Sequence, residues 1–467
     1  MNRKKFITSS VLASTVLLLM SESCKKELVS GGSGLGAGGY SFGTGDIALL
    51  NFAYVLSQVQ AAFYVTLLGS GIITDSTEQM LISDMLHHET AQREFFNTAL
   101  GSNALGGLQL TFSSIDFTSR SSALSAAIFL EDLCVRGLNG ASVYMQSAAF
   151  LTILAQVISV QARHASYIHE IVQASTFTGP AILDQAGMEK VLTPAAVLAQ
   201  LQGIYIKTQL DAGSLPAAAV NVKSLPPSAL TILDFALRVK LFKLNFYQQV
   251  TGMNGFTAST AFSALTRAQQ TGFLLLAIDE QNQTNFLTGL FTGTSASPAT
   301  INSLTTDLTA NQLFADIATN PVTLLLAAQV IEDTSVRYFK GQLARLTATP
   351  ALLRTFLDIH SVDARHASYV RLSRLQSLVT IKPWVETINS ATTIGTYTGP
   401  AANATVNTTS LANVYINEDN TVQAQIQIVG INGHKELDTR AASASFDEVL
   451  SQLQVRTILL AFVPVGI

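Results

Sequence analysis

Apolar residues return every three or four positions along most of this chain, and the segments with this spacing come in two sets of four. Such spacing gives a helix one apolar face. We expect eight long helices, at about 46–69, 75–100, 121–138, 147–174, 228–250, 258–291, 321–347 and 350–379. A stretch rich in Gly, Ser and Thr separates the second helix from the third. A long connection at that point is typical of a four-helix bundle with one crossover.

The two sets of helices are copies of one ancestral segment. Three pairs of stretches align: LLNFAYVLSQVQAAFY (49–64) with ILDFALRVKLFKLNFY (232–247), HETAQREFF (88–96) with DEQNQTNFL (279–287), and FLEDLCVRGLNG (129–140) with VIEDTSVRYFKG (330–341). The hexapeptide ARHASY recurs unchanged, and its histidines, His164 and His366, lie 202 positions apart. A helical solenoid is the competing architecture, but its units repeat within about 50 residues. The long period therefore favours two duplicated all-α domains.

The predicted organisation has six parts. They are 1–23, a signal peptide; 24–45, a Gly/Ser tether; 46–212, the first domain; 213–228, a linker; 229–385, the second domain; and 386–467, a C-terminal extension. A short trailing helix is expected near the end of MEKVLTPAAVLAQL (188–201) and of FDEVLSQLQVRTIL (446–459), which resemble each other. The stretch 413–429 alternates around a polar turn, and this predicts a β-hairpin.

The N-terminus predicts export from the cytoplasm. Arg3, Lys4 and Lys5 precede an apolar run at 11–20, and Cys24 follows that run. This order is that of a secretory signal, and the cysteine resembles the lipidated first residue of a bacterial lipoprotein. We expect a lipid-anchored protein of the cell envelope, in the periplasm or at the outer membrane. An ordinary cleaved signal peptide and a secreted protein are the alternative.

Composition narrows the classes of partner. Hydrophobic residues make up 48% of the chain and charged residues only 12%, about half the usual share near 25%. The formal charge of −4 includes no basic block, so a nucleic-acid partner is not expected. No other run reaches about 18 apolar residues, so we expect membrane contact only through the N-terminal anchor. The pattern indicates no particular partner protein or oligomeric state.

The paired helices resemble the ferritin-like superfamily, and in particular the bacterial secreted ferritin-like proteins related to plant desiccation-associated proteins. The resemblance covers about 46–200 and 229–380. In that superfamily two carboxylate-bridged metal ions lie in the bundle core. The first and third helices give one Glu each, and the second and fourth give Glu-x-x-His each.

Carried onto this chain, the resemblance implies a changed set of ligands. The first-helix position falls at Ser57 and Lys240, or one turn later at Gln60 and Lys243. The second helices keep a Glu but replace the His, giving Glu89 with Gln92 and Glu280 with Gln283. The third helices keep Glu131 and Glu332. The fourth helices carry Gln161 with His164 and Asp363 with His366.

The first domain retains fewer ligands than a two-metal centre needs. Glu89, Glu131 and His164 supply charge for one divalent ion, and the amide oxygens of Gln161 and Gln92 are weak ligands. His88 lies four residues before Gln92, and we expect it at the surface rather than as a substitute ligand.

In the second domain a cation enters the ligand set. An ammonium group has donors and no lone pair, so Lys240 cannot bind a metal while it is protonated. We expect it to replace the metal as counter-charge for Glu280, Glu332 and Asp363; the alternative is that it extends to the surface. Beside the histidines, we expect Arg163 to pair with Glu131 or Asp132, and Arg365 with Glu332 or Asp333.

Two hypotheses for the function follow. The first is an extracytoplasmic tandem protein with degenerate metal sites and a non-catalytic structural, binding or stress-protection role, without catalytic residues or cofactor. The second is a protein that holds one Fe or Mn ion in the first domain and carries out redox or peroxide chemistry. Neither repeat has the ligands of an intact di-iron oxidase.

Overall fold

The computed structural model describes residues 39–218, 225–377, 381–386 and 412–467. The predicted signal peptide, Cys24 and most of the tether lie outside these ranges. Part of the predicted linker, 219–224, lies outside them as well.

The first bundle consists of four long helices and a short trailing one. They are α1 (Gly45–Gly69), α2 (Ser76–Leu100), α3 (Arg120–Ser142), α4 (Ala148–Val172) and α5 (Pro194–Leu201). Residues with short polar side chains start them. Asp75, Ser119 and Ser147 each accept a hydrogen bond from the backbone N–H three residues on, which satisfies one free donor of the first turn. The crossover between α2 and α3 is irregular, as its Gly and Ser content predicts.

The second bundle has the same four long helices and one short helix between the first and second of them. Its helices are α6 (Pro227–Thr251), α7 (Thr260–Ser263), α8 (Arg267–Gly289), α9 (Pro321–Gln342) and α10 (Pro350–Gln376). The prediction of one helix over 258–291 is wrong, because the chain breaks into α7 and α8. Thr266 starts α8 with a capping box, in which its side chain and that of Gln269 bond each other's backbone N–H. The expected all-α class and tandem four-helix architecture are confirmed.

The remaining elements are short. The C-terminal helices are α11 (Thr439–Ala444) and α12 (Gln452–Leu459), and the strands are β1 (Tyr40–Ser41), β2 (Leu210–Asp211), β3 (Val422–Gln423) and β4 (Ile426–Gln427). Single 3-10 turns occur at Gly101–Asn103, Ala212–Ser214, Met253–Gly255, Ile301–Ser303, Leu343–Arg345, Ala412–Tyr415 and Ile431–Gly433. β1 pairs with β2 in parallel, and β3 pairs with β4 antiparallel. The two trailing helices α5 and α12 lie where the sequence predicts them.

The C-terminal hairpin is much shorter than the predicted 413–429. Val422 pairs with Gln427 and Gln423 with Ile426, so the turn is Ala424–Gln425 and not the polar stretch before it. Ala424 and Gln425 both have positive φ, 46° and 68°, which is the conformation that a tight two-residue hairpin requires.

α1 is the one described helix that is long and apolar enough to cross a bilayer. However, 72% of its most apolar window is buried inside the protein. That burial is what a core helix of a bundle shows, so its composition is explained by packing.

The two ARHASY segments lie where the bundles meet. Their alanines form a small apolar cluster with two valines from the third helices: Val135, Ala162, Ala165, Val336, Ala364 and Ala367. Ser166 Oγ donates to the carbonyl of Arg365, and Ser368 Oγ donates to the carbonyl of Arg163, both at 2.9 Å. The hexapeptide thus forms a pseudo-two-fold contact between the copies.

The expectation that each arginine pairs within its own repeat is wrong. Arg163 Nη2 lies 2.9 Å from Asp333 of the second bundle, and Arg365 Nη2 lies 2.8 Å from Asp132 of the first. Both guanidinium groups are buried. The bundles therefore exchange charged side chains across their interface.

Candidate metal centres

The first cluster lies in the core of the first bundle. α2, α3 and α4 bring Glu89, Glu131 and His164 together, and one ligand atom from each lies within 4.8 Å of the others. His164 Nδ1 lies 3.2 Å from Glu89 Oε1 and 4.0 Å from Glu131 Oε1. All three side chains are fully buried. Among the described residues, neither Oε2 atom nor His164 Nδ1 has a hydrogen-bond partner.

Neighbouring side chains hold these three groups in position. Tyr64 Oη donates to Glu131 Oε1 at 2.5 Å, and Gln161 Nε2 donates to Glu89 Oε1 at 2.7 Å. His88 Nδ1 lies 2.9 Å from His164 Nε2. The Oε1 atoms that accept these bonds are also the glutamate oxygens nearest to His164 Nδ1, so Tyr64 and Gln161 fix the side of each carboxyl group that faces the imidazole.

The glutamines at predicted ligand positions form a hydrogen-bond network. Gln161 Nε2 also donates to Gln92 Oε1 at 2.7 Å, and Gln60 Nε2 donates to Gln161 Oε1 at 2.8 Å. Ser57, one turn earlier on α1, is buried as well. Of the two first-helix candidates, Gln60 is the one that reaches the network, while metal binding by Gln161 and Gln92 stays a prediction.

Burial sets the protonation of the first cluster. Removal from water raises the pKa of both Glu89 and Glu131 to about 8. Burial also lowers the pKa of His164 to about 4. No lysine or arginine in the described part of the chain forms an ion pair with either glutamate. Without an ion, the cluster is therefore mostly uncharged at neutral pH.

His88 is not at the surface as expected from the sequence. It is 1% exposed and packs against His164. The aligned residue in the second bundle, Asp279, makes the same kind of contact, with Oδ2 at 3.1 Å from His366 Nε2. Each histidine therefore has a partner on its outer nitrogen, which fixes the direction of the ring.

The second cluster has the same frame with cations inside it. Glu280, Glu332, Asp363 and His366 each offer one ligand atom within 4.8 Å of the others. Tyr247 Oη donates to Glu332 Oε1 at 2.6 Å, matching the tyrosine of the first bundle.

Two buried lysines from α6 fill the space between these carboxylates. Lys240 Nζ lies 2.8 Å from both Glu280 Oε1 and Asp363 Oδ1. Lys243 Nζ lies 2.7 Å from Asp363 Oδ1 and 2.8 Å from the nearer oxygens of Glu280 and Glu332. The side chain of Lys240 is inside the core, so the alternative of extension to the surface is wrong.

The lysines reverse the protonation pattern at two of the three carboxyl groups of the second cluster; at Glu332 burial outweighs Lys243 and the pKa stays raised. Burial alone would raise the pKa of Glu280 and Asp363, but Lys240 and Lys243 lower both values. Burial would lower the pKa of His366, but hydrogen bonds to Asp279 and Glu280 raise it to about 9. This cluster is therefore a charged network at neutral pH.

The two clusters differ in how well a metal ion fits. In the first, two carboxyl groups and one imidazole each place a ligand atom within 4.8 Å of the others, and each keeps one atom without a hydrogen-bond partner among the described residues. This donor set suits one divalent ion. In the second, two ammonium groups lie where ions would bind, and they donate to the same oxygens. The second cluster does not fit a metal.

Residues 45–174 and 228–376 each match the family described as ferritin-like domain. The chain belongs to this family. The two matched segments coincide with the two bundles and together make up more than half of the chain. The chain matches no curated protein and no solved structure.

One residue beside the first cluster is not predicted by any sequence pattern. Trp384, in the segment after α10, lies 5.4 Å from the ring of His164 and 5.2 Å from that of His88, centroid to centroid. It lies outside every repeated motif. Trp384 is the sole tryptophan of the chain, and this is the only feature of the sequence that distinguishes it.

Proposed function

We propose that this ferritin-like protein binds a single divalent ion, Fe or Mn, in its first bundle and uses its second bundle as a metal-free structural copy. The observation that supports this is the difference in counter-charge. Glu89 and Glu131 have no cationic side-chain partner among the described residues, whereas the aligned Glu280 and Glu332 contact Lys243.

Two-metal oxidase chemistry is not part of this proposal. A two-metal centre uses four carboxylates, which balance two divalent cations. The first bundle brings two carboxylates to its cluster, and they balance one ion. A bound Fe or Mn ion would supply one-electron redox chemistry, as in reactions with peroxide.

The residues of the first bundle would have distinct roles around such an ion. Glu89, Glu131 and His164 would hold it, while Tyr64 and His88 orient Glu131 and His164. Because the cluster is fully buried, access of water would be restricted. This environment favours a retained ion over a rapidly exchanged one.

The role in the cell is proposed from the N-terminus and the family. A basic segment, an apolar run and Cys24 support a lipid-anchored protein of the cell envelope. A buried ion in a ferritin-like bundle at that location is consistent with protection against oxidative or desiccation stress. A purely structural role without metal is the competing proposal.

Metal analysis of the mature full chain, purified without chelator from cells supplied with Fe and Mn, tests the proposal. We expect about one ion per chain. Glu131→Gln should abolish binding, and the matched variant Glu332→Gln in the second bundle should keep one ion. A metal-free native protein would favour the structural role, and two ions per chain would contradict the assignment of the lysines.

A further inference from the structure

The segments that follow the fourth helices cross to the opposite bundle. Here the first trailing segment means 173–193, and the second means the described residues 381–386 and 412–451. Gln283 Nε2 of the second bundle donates to the carbonyl of Gly187 at 2.7 Å, and Gln92 Nε2 of the first donates to the carbonyl of Ser445 at 2.9 Å. These glutamines are the aligned residues of the two repeats, so the crossing is reciprocal.

Charged contacts repeat the same exchange. Arg365 of the second bundle pairs with Glu189 of the first trailing segment at 2.9 Å, and Arg163 of the first bundle pairs with Asp447 of the second at 3.2 Å. Glu189 and Asp447 occupy matching places in the two similar trailing stretches. Each arginine directly precedes the cluster histidine of its helix.

After crossing, each segment returns to the third helix of its own bundle. A methyl group added at Gly140 would overlap the carbonyl of Leu192, and one at Gly341 would overlap that of Leu450. Gly140 and Gly341 are aligned, so both trailing segments follow the same path. The absence of a side chain lets each segment pass directly against the helix.

An aromatic ring from each segment packs over the cluster histidine of the opposite bundle. Phe177 lies 6.0 Å from His366, and Trp384 lies 5.4 Å from His164. Both rings meet the imidazole edge to face, at 82° and 84°. Trp384 is 1% exposed and also contacts His88 edge to face.

We infer that the two repeats complete each other's clusters, and that Trp384 of the second repeat is a positioning residue for the ion site of the first bundle. This inference rests on the proposed single-ion function. The indole packs on both members of the His88–His164 pair, so it fixes the direction of His164 Nδ1 towards Glu89 and Glu131. It also excludes water from the side of the cluster where the histidines lie.

The expected effect follows from the behaviour of groups that orient metal ligands. Loss of such a group weakens metal binding about 10- to 100-fold. Phe177 offers a matched control, because it packs in the same way on the lysine-filled second cluster. Its loss should disturb packing to a similar extent without changing the ion site.

The experiment is a Co²⁺ titration of the metal-free full chain, followed by visible absorption and by tryptophan fluorescence. We expect one Co²⁺ per chain, with quenching of Trp384 in step with the absorption change. Trp384→Leu should weaken Co²⁺ binding about 10- to 100-fold, Trp384→Phe should recover part of the affinity, and Phe177→Leu should bind as the unmodified chain does. Circular dichroism checks that each variant is folded.

The outcomes separate this inference from the function on which it rests. If the unmodified chain takes up no Co²⁺, both fail. If it binds one Co²⁺ but Trp384 is not quenched, or if Trp384→Leu binds with unchanged affinity, only the role of Trp384 is overturned. If Trp384→Leu does not fold, two other results test the role of Trp384. Quenching of Trp384 in the unmodified chain and weaker Co²⁺ binding by Trp384→Phe than by Phe177→Leu would support it; the absence of both would overturn it.

Discussion

A divalent ion that enters the first bundle should displace protons from Glu89 and Glu131. Burial raises the pKa of each to about 8, so at pH 7 each carboxyl group is about 90% protonated. His164 has a pKa of about 4 and is already neutral, so it releases nothing. Binding at pH 7 should therefore release about 1.8 protons per ion.

The same titration fixes the pH dependence. Proton release should fall to about one per ion at pH 8 and to about 0.2 at pH 9, because the carboxyl groups are then ionised before the ion arrives. Protons compete with the ion for the same oxygens. The apparent affinity should therefore rise about 30-fold between pH 7 and pH 8.

Isothermal titration calorimetry with Mn²⁺ in buffers of different ionisation enthalpy measures this release directly. Glu332→Gln is the matched control, because its carboxyl group lies in the second cluster; the number of protons released should not change. A release below about 0.5 protons at pH 7 would show that the empty cluster holds ionised carboxylates, and the account of its protonation would then be refuted.

Three further predictions concern the charged core and the N-terminus. Replacing Lys240 or Lys243 by Met leaves buried carboxylates without a counter-charge and should lower the free energy of unfolding by about 3–5 kcal/mol in urea titrations. Arg163→Ala and Arg365→Ala should each cost a similar amount, about 3–5 kcal/mol, and unequal costs would argue against an equivalent role in the interface. Cys24→Ser should abolish incorporation of labelled palmitate and release the protein from membranes; unchanged membrane association would contradict the lipid anchor.

The helices and their duplication could be read from the sequence because both depend on local patterns. The apolar spacing places α1 and α4 within one or two residues of their observed ends. It fails over 258–291, where the apolar residues continue across a break that Thr266 and Gln269 impose. A capping pair changes the backbone path without interrupting the apolar pattern.

The cluster residues could be found for a related reason. Spacing along a helix fixes which side chains share a face, so Glu89 and Glu131 point to one core once their helices are placed in a ferritin-like bundle. The partners across the interface could not be found in this way. The position of Arg163 along its helix does not predict that it pairs with Asp333 of the other repeat. The position of Trp384 depends on the path of a whole trailing segment and has no periodic signal.

The divergence of the two clusters follows from charge. Buried carboxylates need a positive partner, or they take up protons. In the second bundle Asp363 adds a carboxylate at the position of Gln161, and Lys240 and Lys243 occupy the places of Ser57 and Gln60.

The second bundle therefore differs from the first by an added carboxylate and by added lysines at the same time. The first bundle, which lacks both, keeps a cluster whose two carboxyl groups can exchange protons for an ion. The second cluster cannot do so, because the positive charges among its carboxylates are the side chains of Lys240 and Lys243. A fixed charge is present under all conditions, whereas the charge of the first cluster depends on whether its carboxyl groups hold protons or an ion. Because the repeats cover each other's clusters, the second bundle can serve as the scaffold for the proposed ion site of the first.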